Sequence, residues 1–539
     1  MSTLQLSAKH TALRRVSERL FGGRAHGRET WVVCGLIAIA AAIRIVTLDN
    51  QSLWADEALT SYEVRQSFGG MLHLVASVET TPPLYFVAVW IWAKLFGTGA
   101  VALRSLSALA GVALVPIAHQ CGRELCSRRA GVLAAAFVVV NPFMIWYSQE
   151  ARAYMLLAAL TGASFLFFAR ALRDPSRANL GWWAGLSSAA VMTHFFAGFA
   201  IAPEALWLLW SARSRANAVA VAVVAAVQVA MIPFAVAGAA PARGAGWIAA
   251  IPRINRIGQT VVEWGASNLY RRVGPDQGVA AGAAIALIVA ALLVLGGDRR
   301  ARRTAAIAGG VAAVVFLAPL TLGLVGQDYF LSRNEIPAFV PVVTVLAAAC
   351  ASPRARVAGS VLAIALLGLF CFTSIDVQTH PFLQRPDWRA VAAALGPASM
   401  PRAILAADGT TADPLKIYLP GARWTEPANS RVPVSEIDVV GARKRLALRP
   451  GPLRSPSSAV GASALDGGAQ GVTGSPVPAR RAPRGARLLA RFRVHNWIVA
   501  RFALGHPERL SIADLSRLAS RFFRRVPAKL LIFVQQAAG

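Results

Sequence analysis

This sequence is short of charge. Of 539 residues only 15 % are Asp, Glu, Lys or Arg, while 56 % are hydrophobic. A soluble globular domain carries roughly a quarter charged residues. The shortage excludes an ordinary water-soluble fold, because so much apolar sequence needs lipid to solvate it. Acid is scarcer than base: 26 Asp and Glu stand against 55 Lys and Arg, a net charge of +29. Much of the arginine sits in short loops between apolar runs, as orientation in a membrane requires. The charge is therefore read as topology, and nucleic acid is excluded as a partner. Cysteine is sparse as well, with five residues, Cys34, Cys121, Cys126, Cys350 and Cys371, all in or beside apolar runs. That excludes a disulfide framework and any zinc spacing. A Gly-rich phosphate loop, a catalytic-triad order and a Cys/His metal cluster are also missing.

What is present is apolar length, with a mean hydropathy of +0.51. Lys9, Arg14, Arg15, Arg19, Arg24 and Arg28 precede a first run, Trp31 to Leu48, that has no small-residue cleavage site after it. This predicts an uncleaved signal anchor with a cytoplasmic N-terminus. Further runs fit at 102–120, 131–147, 153–170, 180–194, 196–211, 217–239, 279–296, 304–325, 337–352 and 357–375. The expectation is a polytopic α-helical membrane protein of about eleven spans. Arginines recur in every second loop, at Arg123–Arg129, Arg170–Arg177, Arg213–Arg215, Arg299–Arg303 and Arg354–Arg356. Those loops are assigned to the cytoplasm.

The domain organisation expected is a basic tail over 1–30, a transmembrane domain over 31–375 and a small extracytoplasmic α/β domain over 376–539. A first outer loop, 49–101, includes Leu84–Phe96, an apolar stretch too short to span and placed at the interface. Within the tail domain Asp387–Leu395 reads as a helix, Arg402–Ala407 as a strand, Ala486–Ala503 as one or two strands and Leu530–Val534 as a last apolar run. The segment 446–485, rich in Pro, Gly, Ser and Ala, reads as a flexible linker. The basic excess of this domain suits anionic lipid head groups or simply a solvated surface.

Polar residues concentrate in the outer loops. Asp56 and Glu57 lie within about ten residues of a membrane helix, where acids are costly and usually face a polar cavity. They suit a general base or a cation site, or else an acid pair capping the next helix. Glu79-Thr80-Thr81-Pro82-Pro83-Leu84-Tyr85 is a backbone pivot first, and it can also aim Glu79 and Thr81 at a ligand. Asn141-Pro142 is followed by Tyr147-Ser148-Gln149-Glu150-Ala151-Arg152-Ala153-Tyr154, a dense polar turn. Arg152 suits a phosphate, and Glu150 suits a metal or a pair with that arginine. The plain alternative is an interfacial ion pair in an aromatic belt. Arg333, in Asp328-Tyr329-Phe330-Leu331-Ser332-Arg333-Asn334-Glu335, stands where a lipid phosphate or a head group would lie. His194 in a tight turn and Glu204 within an apolar run are either functional or helix-to-helix hydrogen bonds.

The order Leu53-Trp54-Ala55-Asp56-Glu57, Thr81-Pro82-Pro83-Leu84-Tyr85, Arg104-Ser105-Leu106-Ser107-Ala108-Leu109-Ala110-Gly111 and Asn141-Pro142 to Tyr147-Ser148-Gln149-Glu150-Ala151-Arg152-Ala153-Tyr154 resembles one superfamily. It is the bacterial branch of the dolichyl-phosphate-mannose-protein mannosyltransferase-like family, with the C-type glycosyltransferase fold, to which the lipid A aminoarabinose transferases are related. The resemblance covers roughly residues 31–375 and continues into Arg385-Pro386-Asp387-Trp388-Arg389. It implies an inverting transfer of a hexose or pentose from a polyprenyl-phosphate donor to a glycan, lipid or protein acceptor, on the outer side of a bacterial plasma membrane. It implies Asp56, beside Glu57, as the base. Glu150, Arg152, Tyr154, Arg333, Thr81 and Tyr85 are implied as binding residues. Where several relatives have Lys or His before the Pro-Pro pair, Thr81 stands here, so Arg152 or Arg333 has to meet the donor phosphate. Some relatives bind a divalent metal, for which Glu79 and His194 are the candidates. Two other functions stay open on the residues alone, a lipid or small-molecule transporter or flippase and a non-catalytic cell-envelope scaffold.

Overall fold

The computed structural model describes residues 27–238, 248, 250–268, 272–407, 413–419, 424–425, 431–442, 487–494, 497–522 and 530–535. The expected linker 446–485 and most of the tail 1–30 lie outside the described residues. The chain divides into two compact units, Met1–Asp49 with Thr60–Thr379, and Asn50–Leu59 with His380–Gly539.

The first unit is helical. Its elements run α1 (Gly27–Val46), α2 (Ala55–Glu63), α3 (Phe68–Val78), α4 (Leu84–Phe96), α5 (Ala100–Leu125), α6 (Arg128–Val140), α7 (Pro142–Ser148), α8 (Tyr154–Ala171), α9 (Arg177–Thr193), α10 (Ala197–Ser211), α11 (Arg215–Ala230), α12 (Ile232–Gly238), α13 (Arg253–Ala266), α14 (Pro275–Ala291), α15 (Arg299–Leu324), α16 (Phe339–Cys350) and α17 (Arg356–Thr379). The division between the units falls within α2, after Leu59.

Among the described residues seven helices are long and apolar enough to cross a membrane, or eight if the bent pair α6 and α7 is one span. The expected count of about eleven is not reached. The runs 180–194, 196–211 and 337–352 do form helices, of 17, 15 and 12 residues, short of the roughly 20 that hydrocarbon asks for. α16 shows why an apolar run misleads. It is buried along most of its length, and a helix apolar all round is as much a core helix as a span.

One core unites α1, α5 to α11 and α15 to α17. Glycine lets α5 and α6 approach closely: a Cβ on Gly131 would stand 2.7 Å from the His119 carbonyl oxygen. A smaller cluster holds the first outer loop together, where Met71 and Val75 of α3 and Tyr85, Phe86 and Val89 of α4 meet Ala151 and Ala153. The run Leu84–Phe96 thus packs against the polar turn that follows α7.

The second unit is a six-stranded mixed sheet in the order β2-β6-β1-β3-β5-β4. Its strands are β1 (Arg402–Ala407), β2 (Trp424–Thr425), β3 (Val432–Ala442), β4 (Arg487–Val494), β5 (Trp497–Leu510) and β6 (Leu530–Gln535). Among the described residues only β1 and β3 run parallel, in the register Ile404 to Asp438. Side chains alternate along a strand, and the two faces bury different sets. Ala403, Leu405 and Val439 pack with Leu515 of α20 (Ile512–Phe522). Ile404, Ala406 and Val440 pack with α18 (Trp388–Leu395) and α19 (Leu415–Tyr418). The expected helix is present, and Asp387 caps it by accepting from the Ala390 N–H at 3.0 Å.

Arg402 is fully buried. It donates to Asp438 at 3.1 Å, to Gln535 at 2.8 Å and to the carbonyls of Leu395 and Gly396. Arg501 meets the same Asp438 at 2.9 Å. The two cations therefore tie α18 to the centre of the sheet. The segment Asn50–Leu59 belongs to this unit through the backbone. The Arg385 N–H donates to Gln51 at 2.9 Å, the Trp388 N–H to Ser52 at 2.9 Å, and the Leu53 N–H to the Tyr418 hydroxyl at 2.7 Å. The Arg385-Pro386-Asp387-Trp388 motif is thus a docking strip for the start of the first outer loop.

Candidate functional site

The polar residues of the helical unit gather where α7 meets α8. A proline cannot donate to the helical ladder and clashes with the turn before it, so Asn141-Pro142 breaks the helix, and α6 and α7 bend by 58°. Asn141 turns this break into a fresh start: its side chain accepts from the Met144 N–H at 2.9 Å and donates to the Trp264 carbonyl at 2.8 Å. The last carbonyls of α6 still need donors. Arg44, fully buried in α1, supplies them, with 2.8 Å to the Val138 carbonyl, 3.1 Å to the Val139 carbonyl and 3.0 Å to the Ser148 hydroxyl. Gly111 leaves the room, since a Cβ there would stand 2.2 Å from the Ser148 oxygen.

The turn thus fixed presents Arg152. Its two outer nitrogens donate to the two oxygens of Glu79 at 2.7 Å each, and one also reaches the Thr60 hydroxyl at 3.3 Å. The guanidinium lies 5.6 Å from the Phe86 ring. Glu79 is the residue that ends α3, just before the double proline, so the pivot does aim it. Glu63, the last residue of α2, completes the cluster. It is fully buried. Burial first, then the charge of Glu79, pushes its pKa up to about 9, so it keeps its proton at neutral pH. The sequence reading passed over Glu63, because an acid near a helix end with no motif around it looks like a solvated one. Glu150 is buried two residues from Arg152. Arg152 forms its bidentate pair with Glu79.

Beside this cluster lies an aromatic patch. Tyr147 and Tyr154 pack edge to face at 5.0 Å, and the Tyr154 ring is 5.9 Å from His194. The Arg333 guanidinium stands 6.0 Å from the centre of the Tyr154 ring. His194 Nδ1 accepts from the Phe196 N–H at 3.2 Å, which leaves the imidazole proton on Nε2. The loop bearing Arg333 is held by α13, where Arg256 grips Asp328 at 2.6 and 2.7 Å and Trp264 donates to the Ser332 carbonyl at 3.0 Å. Glu263 accepts from Ser332 and, at 2.7 Å, from Gln259. Glu335, at the end of this loop, is fully buried, and burial pushes it up to about 9. Glu263 was also missed by the sequence reading, and Glu335 was named there only as the end of the Asp328–Glu335 string.

Asp56 and Glu57 occupy the first turn of α2 and belong to the second unit. Glu57 reaches back to accept from the Trp54 N–H at 3.3 Å, one half of a capping box. Asp56 is half-buried. Thr81 Oγ1 is shielded from solvent at the pivot, and Tyr85 is buried in the first turn of α4. Among the described residues no three His, Cys, Asp or Glu side chains come together to hold a metal ion. Of the two metal candidates, Glu79 is paired with Arg152 and His194 Nδ1 accepts from the Phe196 N–H. Glu204 hydrogen-bonds with Ser164 and Trp183 at 2.8 Å each, a helix-to-helix clasp among α8, α9 and α10.

Residues 80–237 match the dolichyl-phosphate-mannose-protein mannosyltransferase family, so the resemblance read from the motifs holds over this stretch. No curated protein matches the chain. Among solved structures, ArnT from Cupriavidus metallidurans bound to undecaprenyl phosphate is similar at 15% identity, over 77% of this chain and 93% of that one, with a TM-score of 0.47. The same protein in the apo state gives 15% identity over 78% and 94%, with a TM-score of 0.49. The Archaeoglobus fulgidus oligosaccharyltransferase in complex with Zn and sulfate gives 15% identity over 67% and 55%, with a TM-score of 0.40. At these scores the architecture rests on the chain's own elements.

Proposed function

We propose that this chain is a multi-pass membrane glycosyltransferase that moves a sugar from a polyprenyl-phosphate donor to an acceptor hydroxyl on a glycan, a lipid or a protein. The observation that carries the proposal is the cluster at the α7–α8 turn, of which Tyr147, Arg152, Tyr154 and His194, but not Arg333, lie within the stretch that matches the mannosyltransferase family. The helix break brings Tyr147, Arg152 and Tyr154 to this turn, and His194 after α9 and Arg333 on the loop held by α13 stand beside the Tyr154 ring. A polar end on an apolar bundle suits a substrate whose prenyl chain dissolves in the membrane and whose phosphate stays at its edge.

In this scheme the acceptor oxygen attacks the anomeric carbon from the face opposite the phosphate. The carbon–oxygen bond to the phosphate breaks, polyprenyl phosphate departs and the configuration inverts. Asp56 takes the acceptor proton. Its support is its place in the first turn of α2 next to Glu57, whose carboxylate is already used as a cap. Arg333, over the Tyr154 ring, faces the charge that gathers on the leaving phosphate, where a fixed cation stabilises most. Arg152 contributes less net charge, because Glu79 neutralises it, and its role is to hold the turn. The active face is the outer side of a bacterial plasma membrane, with the arginine-rich helix ends in the cytoplasm.

The test is a transfer assay in proteoliposomes, with labelled polyprenyl-phosphate sugars and a crude envelope acceptor, on the wild type and Asp56→Asn. Loss of a general base lowers the rate about 10²–10⁴-fold, with donor binding retained. Transfer that survives the substitution removes Asp56 from the role, and no transfer from any donor rejects the enzyme.

A further inference from the structure

We infer that the arginine-rich end of the helical unit carries a binding site for an anionic phospholipid, seated in the cavity between α1 and α6. The cavity holds about 450 Å³ and is lined by Arg28, Arg128 and Arg129, by Val32, Val132 and Leu133, and by Glu29. The cations stand at the helix ends, and the aliphatic side chains lie about one turn further along each helix. That is the order of a phospholipid, with a charged head group at the edge and an acyl chain running inward. A small soluble anion has no use for the aliphatic wall, and a neutral lipid has none for three guanidiniums. Basic pockets between membrane helices hold anionic head groups, and a guanidinium fork matches a phosphate oxygen pair.

Glu29 does not cancel this field. Its carboxylate is met by His119 at 3.1 Å, Arg123 at 3.2 Å and Arg128 at 3.5 Å, so the surroundings stay positive overall. Arg129 is aimed by α17, donating to the Ser360 hydroxyl at 2.8 Å. Further cations crowd the same end: Arg170 and Arg173 grip Glu124, and Arg300 donates to the Glu124 carbonyl. This site is separate from the proposed donor site, since Arg28 and Arg44 lie about 24 Å apart along α1 at 1.5 Å per residue. It does not rest on the glycosyltransferase reading.

The experiment uses the full chain in phosphatidylcholine nanodiscs doped with phosphatidylglycerol, with retained lipid counted by native mass spectrometry. The wild type is expected to retain phosphatidylglycerol over phosphatidylcholine. Arg28→Gln, at an exposed position, lowers that retention about fivefold, the effect of one arginine at a membrane surface. Val132→Trp fills the cavity and lowers it as well, with helix content unchanged by circular dichroism. Free glycerol phosphate at equal concentration does not compete. Retention unchanged in both variants overturns the inference. So does competition by glycerol phosphate as strong as that of the lipid, which would make this a phosphate site without a lipid.

Discussion

Arg152 and Glu79 are each tolerable in their buried surroundings because they have each other. Removing one partner of a buried pair costs roughly 3–5 kcal/mol, since the other charge is left uncompensated. Glu79→Gln is therefore expected to lower the thermal unfolding temperature in detergent sharply. Glu63 makes the same cluster sensitive to pH. Its pKa, pushed up to about 9, exceeds the unfolded glutamate value of about 4.3. Its contribution to stability is thus present in full below that lower value and is lost as pH rises through 9. Unfolding temperatures measured from pH 5 to pH 9.5 should fall more in the wild type than in Glu63→Gln. Sequence reading singled out Glu79 and Arg152 but did not join them. They are 73 positions apart, and such a pairing becomes visible only once the outer loop folds back. Glu63 was invisible for another reason: its burial comes from neighbours that no local pattern announces.

The elements were more legible than their junctions. Apolar periodicity located the helices of the bundle, and strand-like runs located β1, β4 and β5. Length did not separate core helices from spans, as α16 shows, and β3 went unread because it pairs across the sheet with distant β1 and β5. The break between α6 and α7 was written in Asn141-Pro142, yet its satisfaction by Arg44 was not. An arginine in a first membrane helix looks like an end marker until its four-way hydrogen bonding is seen. Hydrogen bonds from a charged donor contribute about 1.5–3 kcal/mol each. Arg44→Met should destabilise the helical unit by a few kcal/mol on that basis, read as earlier unfolding in detergent. Gly111→Ala should act in the same direction, because its methyl group displaces Ser148.

At the scale of the whole molecule, the division within α2 matters most. The strip Gln51–Leu53 is hydrogen-bonded to Arg385, Trp388 and Tyr418, so the second unit positions the segment that leads to Asp56. Deleting residues 376–539 should therefore spare donor binding and abolish transfer. Tyr418→Phe, which removes the acceptor of the Leu53 N–H, should lower the transfer rate with the donor affinity unchanged. Both are measurable in the proteoliposome assay. The sequence placed a small α/β unit after the bundle but gave no sign that residues 50–59 belong to it, since their partners lie over three hundred positions away.

That separation has a meaning in time. Ser52 and Pro386, hydrogen-bonded at 2.8 Å, are 334 positions apart. At a synthesis rate of about 5–20 residues per second, the ribosome needs roughly 17–70 s after making Ser52 before its partner exists. The sheet of this unit waits longer still, because β1 pairs on one side with β6, the last strand among the described residues. A nascent chain already threaded through the membrane would hold the proposed base in an unfinished seat throughout, unable to act on donor lipid until the far end of the polypeptide arrives.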